Sequence, residues 1–280
     1  MTREFLASNI VLIGVQAAAV ALPRAHSVPA LERLSRRLQS PWWALVPLLS
    51  IAGVVWAINA QSGTADVLTW VALVAIPPLA AAALGWTMHG GRPWLAPLAA
   101  VLFVVAWQAR EQLAGELAGT LLSGLSCVTL GVLLVSVAPH GWLKVGIVVM
   151  AVADVILIGA ETLQPASAVL NAAAPPAELP QLQRAHFGHA VIGYGDYFIA
   201  GVFGALLAAE GRRQGRIALL VFGLSLAYDA IFLVLDTLPA TVPVAVALLI
   251  TEAWRRRSPR EGATTAGRPR SLSRTGSRSG

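Results

Sequence analysis

Apolar residues gather into nine long stretches, each bounded by charges or by Pro/Gly clusters. They cover roughly residues 5–23, 42–60, 66–86, 93–108, 117–138, 143–161, 186–209, 217–236 and 238–254. A bilayer core about 30 Å thick is crossed by about 17–25 apolar helical residues, so each stretch predicts a spanning helix, the fourth and ninth being short. The pattern predicts an all-α, polytopic membrane protein with nine transmembrane helices. Seven of the nine tryptophans (42, 43, 86, 94, 107, 142 and 254) fall at or near the proposed helix ends, the interfacial level that indole prefers. The stretch opening the chain follows a nearly neutral MTRE and reads as a retained helix rather than a cleaved signal. Residues 255–280 are rich in Arg, Ser and Gly without apolar period and predict a disordered tail.

Composition agrees with this reading. Of 280 residues, 56% are hydrophobic and 12% charged, and the mean hydropathy is +0.69. Half the usual charge excludes both an ordinary water-soluble enzyme and a disordered chain. Cys127 is the single cysteine, which excludes a disulfide framework, a Cys-rich zinc site and CxxCH haem attachment. Lys144 is the single lysine and sits at the edge of an apolar run, too shallow for a retinal Schiff base.

The net charge of +6 resolves into sidedness. Nine spans place three basic residues (Arg3, Arg110 and Arg184) on the side of the N-terminus and the other seventeen on the opposite side. The positive-inside rule makes the richer side cytoplasmic. A cell-membrane protein is expected, N-terminus outside and C-terminus inside. The tail alone carries +7, leaving −1 for the remainder. The basicity is thus a topological label and a means of approaching anionic headgroups, and no nucleic-acid partner is expected.

Acids inside spans are costly and mark function. Asp154, Glu161, Asp196 and Asp229 are interior, while Asp236 and Glu252 lie near helix ends. Asp154 lies ten residues from Lys144 and Asp196 ten from His186, so at 1.5 Å per residue both are expected about 15 Å deep. Two carboxyls at one depth on consecutive helices can share a proton and split the work of activating water and protonating a carbonyl. The same acids would serve a proton- or ion-coupled carrier, and composition leaves these alternatives open. Asp229 is expected to bond between helices, and Glu161 to be solvated near the outer end. His186 and His189, three apart on one predicted helix face, are read as solvated; no metal or cofactor is expected. HExxH is absent, as is a GxSG motif followed by an intramembrane histidine, which disfavours metalloprotease and rhomboid-like chemistry.

Around Asp196 the chain reads Gly193-Tyr194-Gly195-Asp196 and continues YFIAGVFGALL. With AVADVILIG around Asp154 and LPATVPVAVALL containing Pro239-Ala240-Thr241, it resembles the presenilin and signal peptide peptidase family of intramembrane aspartyl proteases. GYGD stands for the family's GxGD, Asp154 for the acid of its YD, and Pro239-Ala240-Thr241 for its PAL. The likeness covers about residues 140–254 by motif and the first half by topology only. The expected orientation is that of the signal peptide peptidase branch. Ala153 stands where the family has tyrosine and Thr241 where it has leucine, departures that would suit altered specificity or a catalytically weak member. A prepilin-peptidase-like protease also uses GxGD, but follows it with Val-Lys where this chain has Tyr197-Phe198.

The resemblance implies a presenilin-like bundle: residues 1–140 as scaffold helices, 141–254 as the catalytic helices and 255–280 as the tail. It implies a catalytic pair, Asp154 and Asp196. Gly193, Tyr194, Gly195, Pro239, Ala240 and Thr241 would line the substrate path, with the start of the last helix left unwound. Substrates would be transmembrane-helix peptides such as signal-peptide remnants or type II anchors, with the loop after the sixth helix available to pair with them as a strand.

Overall fold

The computed structural model describes residues 3–25, 64–159, 179–230 and 239–257. The predicted span 42–60, the tail beyond Arg257, Glu161 and Asp236 lie outside them. Among the described residues are eight α-helices, one in each of the other eight predicted segments. These are α1 (Arg3–Ala21), α2 (Thr64–Ala82), α3 (Leu98–Gln108), α4 (Leu113–Val137), α5 (His140–Gly159), α6 (Tyr194–Ala209), α7 (Gln214–Asp229) and α8 (Thr241–Arg257). Three apolar helical stretches are long enough to cross a membrane: Glu4–Ala21, Asp66–Thr87 and Leu113–Val137, with mean hydropathies of 1.6, 2.1 and 2.1.

The all-α expectation needs one correction. The segment 186–209 does not begin as a helix. It begins as a β-hairpin, β1 (Arg184–Phe187) and β2 (Ala190–Gly193), paired antiparallel with Arg184 opposite Gly193 and Phe187 opposite Ala190. Locally the chain explains this. RAHF and AVIG are two short runs joined by Gly188-His189, and Gly188 has φ 57°. A two-residue loop with glycine in that conformation matches the twist of paired strands. The high apolar content across 186–209 hid the hairpin from a reading of hydropathy.

Helix ends follow ordinary rules. Gly211, at φ 65°, ends α6: the N–H of Arg212 reaches Leu207 O at 2.9 Å and that of Gly211 reaches Ala208 O at 3.0 Å, the Schellman arrangement. Pro139 and Pro239 stand just ahead of α5 and α8. Past Pro77 and Pro78, α2 loosens into a π turn over Ala83–Thr87, and the Thr129 hydroxyl donates to the Leu79 carbonyl there.

The core joins the two halves of the chain. Val20 of α1 and Val128 and Val132 of α4 pack with Phe203 and Leu206 of α6, Val221 of α7 and Val244 of α8. The two halves of the chain therefore share one interior. At the α4–α6 crossing, a Cβ on Gly131 would lie 2.4 Å from the Gly201 carbonyl carbon, and one on Gly201 would lie 2.3 Å from Cys127 O. Nothing larger than glycine lets the two backbones meet so closely.

The polar contacts fall at two ends. At one, Glu4 meets His189 and Glu116 meets His186, joining the starts of α1 and α4 to the hairpin. At the other, Gln214 donates to the Val20 and Pro23 carbonyls and meets His89. Nearby in the chain, Arg212 and Glu210 join Lys144, Glu252 and Arg255 in a network. Lys144 pairs with Glu210 and Glu252, and Arg255 lies 2.6 Å from Glu252.

Candidate active site

Asp196 sits in the first turn of α6, with Gly193 as N-cap. The expectation that it lies ten residues down a helix is thereby overturned, as is the placement of GYGD in mid-helix. The motif is a strand-to-helix junction. Glycines at positions 193 and 195 weaken helix propensity on the N-terminal side, and the hairpin takes up the residues before them.

The hairpin register orients this junction. Thr120 donates to His186 O at 3.1 Å and Ser123 to Leu182 O at 3.2 Å, both from α4. Backbone groups alternate along a strand, so Ala185 and Phe187 turn toward β2 and exchange bonds with Ile192 and Ala190. Val191 and Gly193 consequently direct their backbone groups away from β1. The Gly193 N–H is used by the Asp196 carboxylate, which reaches back over the turn as the third residue of a capping box does. A Cβ on Gly193 would lie 3.2 Å from Asp196 Oδ2, whereas one on Gly195 would meet nothing within 4 Å. Of the two glycines, the first permits the carboxyl's position and the second opens the space beside it.

Asp154 lies on α5 and is partly exposed, as is Asp196. The two carboxyls are near enough for the charge of one to act on the other. At Asp154 the Thr241 hydroxyl donates a 2.6 Å hydrogen bond to Oδ2. Thr241 opens α8, its own side chain buried. Pro239 and Ala240 precede the helix in non-helical backbone, and the Ala240 carbonyl accepts a bond from Gln16 of α1 at 3.0 Å. The three residues grouped as one substrate path thus divide. Thr241 holds an acid, Ala240 is tied to α1, and Pro239 is buried.

Tyr194 is anchored at both its hydroxyl and its carbonyl. Its hydroxyl bonds Ser126 of α4 at 2.8 Å, and its carbonyl receives Cys127 Sγ at 3.9 Å. Tyr197, fully buried, donates to Leu12 O at 3.1 Å. These two tyrosines clamp the first turn of α6 between α4 and α1. Sequence reading missed Ser126, Leu12 and Gln16 as supports, because a contact across more than 60 positions leaves no local signal.

The remaining candidates separate from the site. Asp229, at the end of α7, accepts a 2.5 Å bond from Asn9 Nδ2, the expected helix-to-helix role. His186 lies in β1 and His189 in the hairpin loop, so the expected single helix face does not exist. Each faces a glutamate: His186 Nδ1 is 3.2 Å from Glu116 and His189 Nε2 is 3.4 Å from Glu4. Among the described residues no three His, Cys, Asp or Glu side chains gather as a metal site.

Comparison with family models, with curated proteins and with solved structures finds no match for this chain. Its function has to be argued from the geometry.

Proposed function

We propose that the chain is an intramembrane aspartyl protease in which Asp154 and Asp196 together activate water and protonate the scissile carbonyl. The observation that carries the proposal is that Asp154 of α5 and Asp196 in the first turn of α6 lie within reach of each other's charge. Two neighbouring carboxyls can hold one proton between them, as such chemistry requires. The Asp196 carboxylate is braced by the Gly193 N–H and the Asp154 carboxylate by Thr241 Oγ1. Each therefore keeps its position without a substrate, and preorganisation of this kind lowers the reaction barrier.

Supply of an extended peptide follows from the sheet. With the outer side of β1 occupied by α4 hydroxyls, Val191 is left to accept an added strand. A transmembrane helix unwound over a few residues would pair there and run its next carbonyl toward Asp196. Signal-peptide-like segments and type II anchors are the substrates proposed, in a cell membrane with the N-terminus outside.

The test uses purified wild type, Asp154→Asn and Asp196→Asn in detergent with a signal-peptide-like helix. Cleavage by the wild type and by neither variant is expected. Equal cleavage by all three would end the proposal.

A second reading, a proton-coupled carrier, has one observation in its favour. The polar residues of the first helices are buried rather than scattered over the surface, and Asn9, Asp229, Gln16 and Ser225 follow one another between α1 and α7. Proton flux in vesicles, persisting where cleavage is absent, would select it.

A further inference from the structure

Three basic residues stand on the end of the molecule that holds the hairpin, and two of them, Arg110 and Arg184, line one cavity of about 420 Å³. They come from separate places: Arg110 from the corner between α3 and α4, Arg184 from the first position of β1. Among the described residues, Arg212 and Arg255 belong to the network at the other end, so the meeting of Arg110 and Arg184 calls for a local reason. Glu111, Glu116 and His186 share the same cavity.

The charges are held in place. Glu116 accepts the Gly188 N–H at 2.7 Å and faces His186. Arg184 Nη2 donates to Gln181 Oε1 at 2.9 Å, and Arg110 lies 3.9 Å from Glu111, which is largely exposed. The walls between them are small or apolar: Ala106, Gly119 and Pro180. The cavity is therefore lined by two guanidiniums and two carboxylates, a pattern complementary to a zwitterion rather than to a simple anion.

Its level in the molecule narrows the ligand. The apolar run of α3 ends at Gln108 and that of α4 begins at Leu113, so the cavity lies where membrane-matched helix gives way to charge. That is the depth of lipid headgroups. Val104 and Trp107 of α3 and Leu113 and Leu117 of α4 are exposed, offering apolar surface for acyl chains beside it.

We propose that this cavity binds the phosphoethanolamine headgroup of a membrane phospholipid, the phosphodiester between Arg110 and Arg184 and the ammonium toward Glu111 and Glu116. A trimethylammonium has no N–H to give those carboxylates, and a glycerol headgroup has no cation. Phosphatidylethanolamine is therefore preferred over phosphatidylcholine and phosphatidylglycerol of the same chains. The inference needs the protein to sit in a membrane and is independent of proteolysis.

The experiment uses the full chain, delipidated in detergent, with thermal unfolding and native mass spectrometry on addition of each of the three lipids. Preference for the ethanolamine lipid by about tenfold in apparent affinity is expected, the ratio that one charge-assisted hydrogen bond commands. Arg110→Gln with Arg184→Gln abolishes the increment, and Glu111→Gln alone erodes the preference over choline. If the double variant fails to fold, the Glu111→Gln arm still decides. Equal response to all three lipids, or a wild-type response from Glu111→Gln and the double variant, overturns the proposal. So does saturation by soluble glycerophosphoethanolamine at the same concentration as the lipid, which would identify a site for a free metabolite. Stabilisation by a peptide with a free C-terminal carboxylate, in the absence of any lipid effect, would equally overturn it.

Discussion

The Thr241 hydroxyl donates a 2.6 Å hydrogen bond to Asp154 Oδ2. The proposed protease reading puts a leucine at this position and a tyrosine where Ala153 stands. A hydroxyl missing next to the acid on α5 is thus met by one from the start of α8. Thr241→Val keeps the shape and removes the donor. A bond to an ionised group contributes about 1.5–3 kcal/mol, so kcat for peptide cleavage is expected to fall roughly ten- to hundredfold, with KM little changed. Thr241→Ser should retain most of the activity. Unchanged turnover in Thr241→Val would remove Thr241 from the site.

Three of the interior acids, Asp154, Asp196 and Asp229, are expected to behave differently. Asp154→Asn and Asp196→Asn should both abolish cleavage. Asp229→Asn keeps an oxygen to accept from Asn9, so it should cleave at close to the wild-type rate. Initial rates on one helical peptide, measured for all three variants at matched folded fraction, check this. Loss of activity in Asp229→Asn would enlarge the site to three acids.

Gly188 turns the hairpin at φ 57°, and a Cβ there would also strike Ser8 Oγ at 2.3 Å. Gly188→Val should destabilise the protein by about 1–3 kcal/mol, the cost of forcing a β-branched residue into this region. The loss should be read as a lower unfolding midpoint together with slower cleavage, because the hairpin leads directly into Asp196.

Much of this arrangement was legible in the chain. Long apolar stretches foretold the eight described α-helices, because hydropathy is additive along a sequence. The hairpin was not foretold. AVIG is as apolar as the helix that follows, and RAHF is too short to show a period of its own, so the Gly188-His189 pair between them is the local sign of a hairpin. Asp154 and Asp196 were found by their cost in an apolar setting, though the depth assigned to Asp196 assumed helix back to His186. Bonds such as Tyr194 to Ser126 and Gln16 to Ala240 depend on which faces meet across the bundle, and periodicity within one helix carries none of that.

The network of Lys144, Glu210, Arg212, Glu252 and Arg255 ties the start of α5 to the ends of α6 and α8. Lys144 and Glu252 are largely buried, their side chains 16% and 17% exposed. Lys144→Met leaves Glu210 and Glu252 with Arg212 as their remaining shared cation. Removing one partner from a buried pair can cost about 3–5 kcal/mol, less where water reaches it. A drop in unfolding midpoint is expected, partly restored by Glu210→Gln in the same chain, which a double-mutant cycle in detergent would measure.

The contact between Gly131 and Gly201 sets how the molecule can move. With backbone against backbone, α4 and α6 have no cushion of side chains to slide over, and a shift along either axis would drive a neighbouring Cβ into a carbonyl. The pair is a pivot rather than a bearing. Under the proposed protease reading, a motion that admits substrate to Asp196 swings about that point, with displacement smallest near Gly201 and growing toward the ends of α6. Asp196 stands more than a helical turn from Gly201, on the arm of the lever, and a small rotation at the pivot translates there into a change in the gap between the two carboxyls.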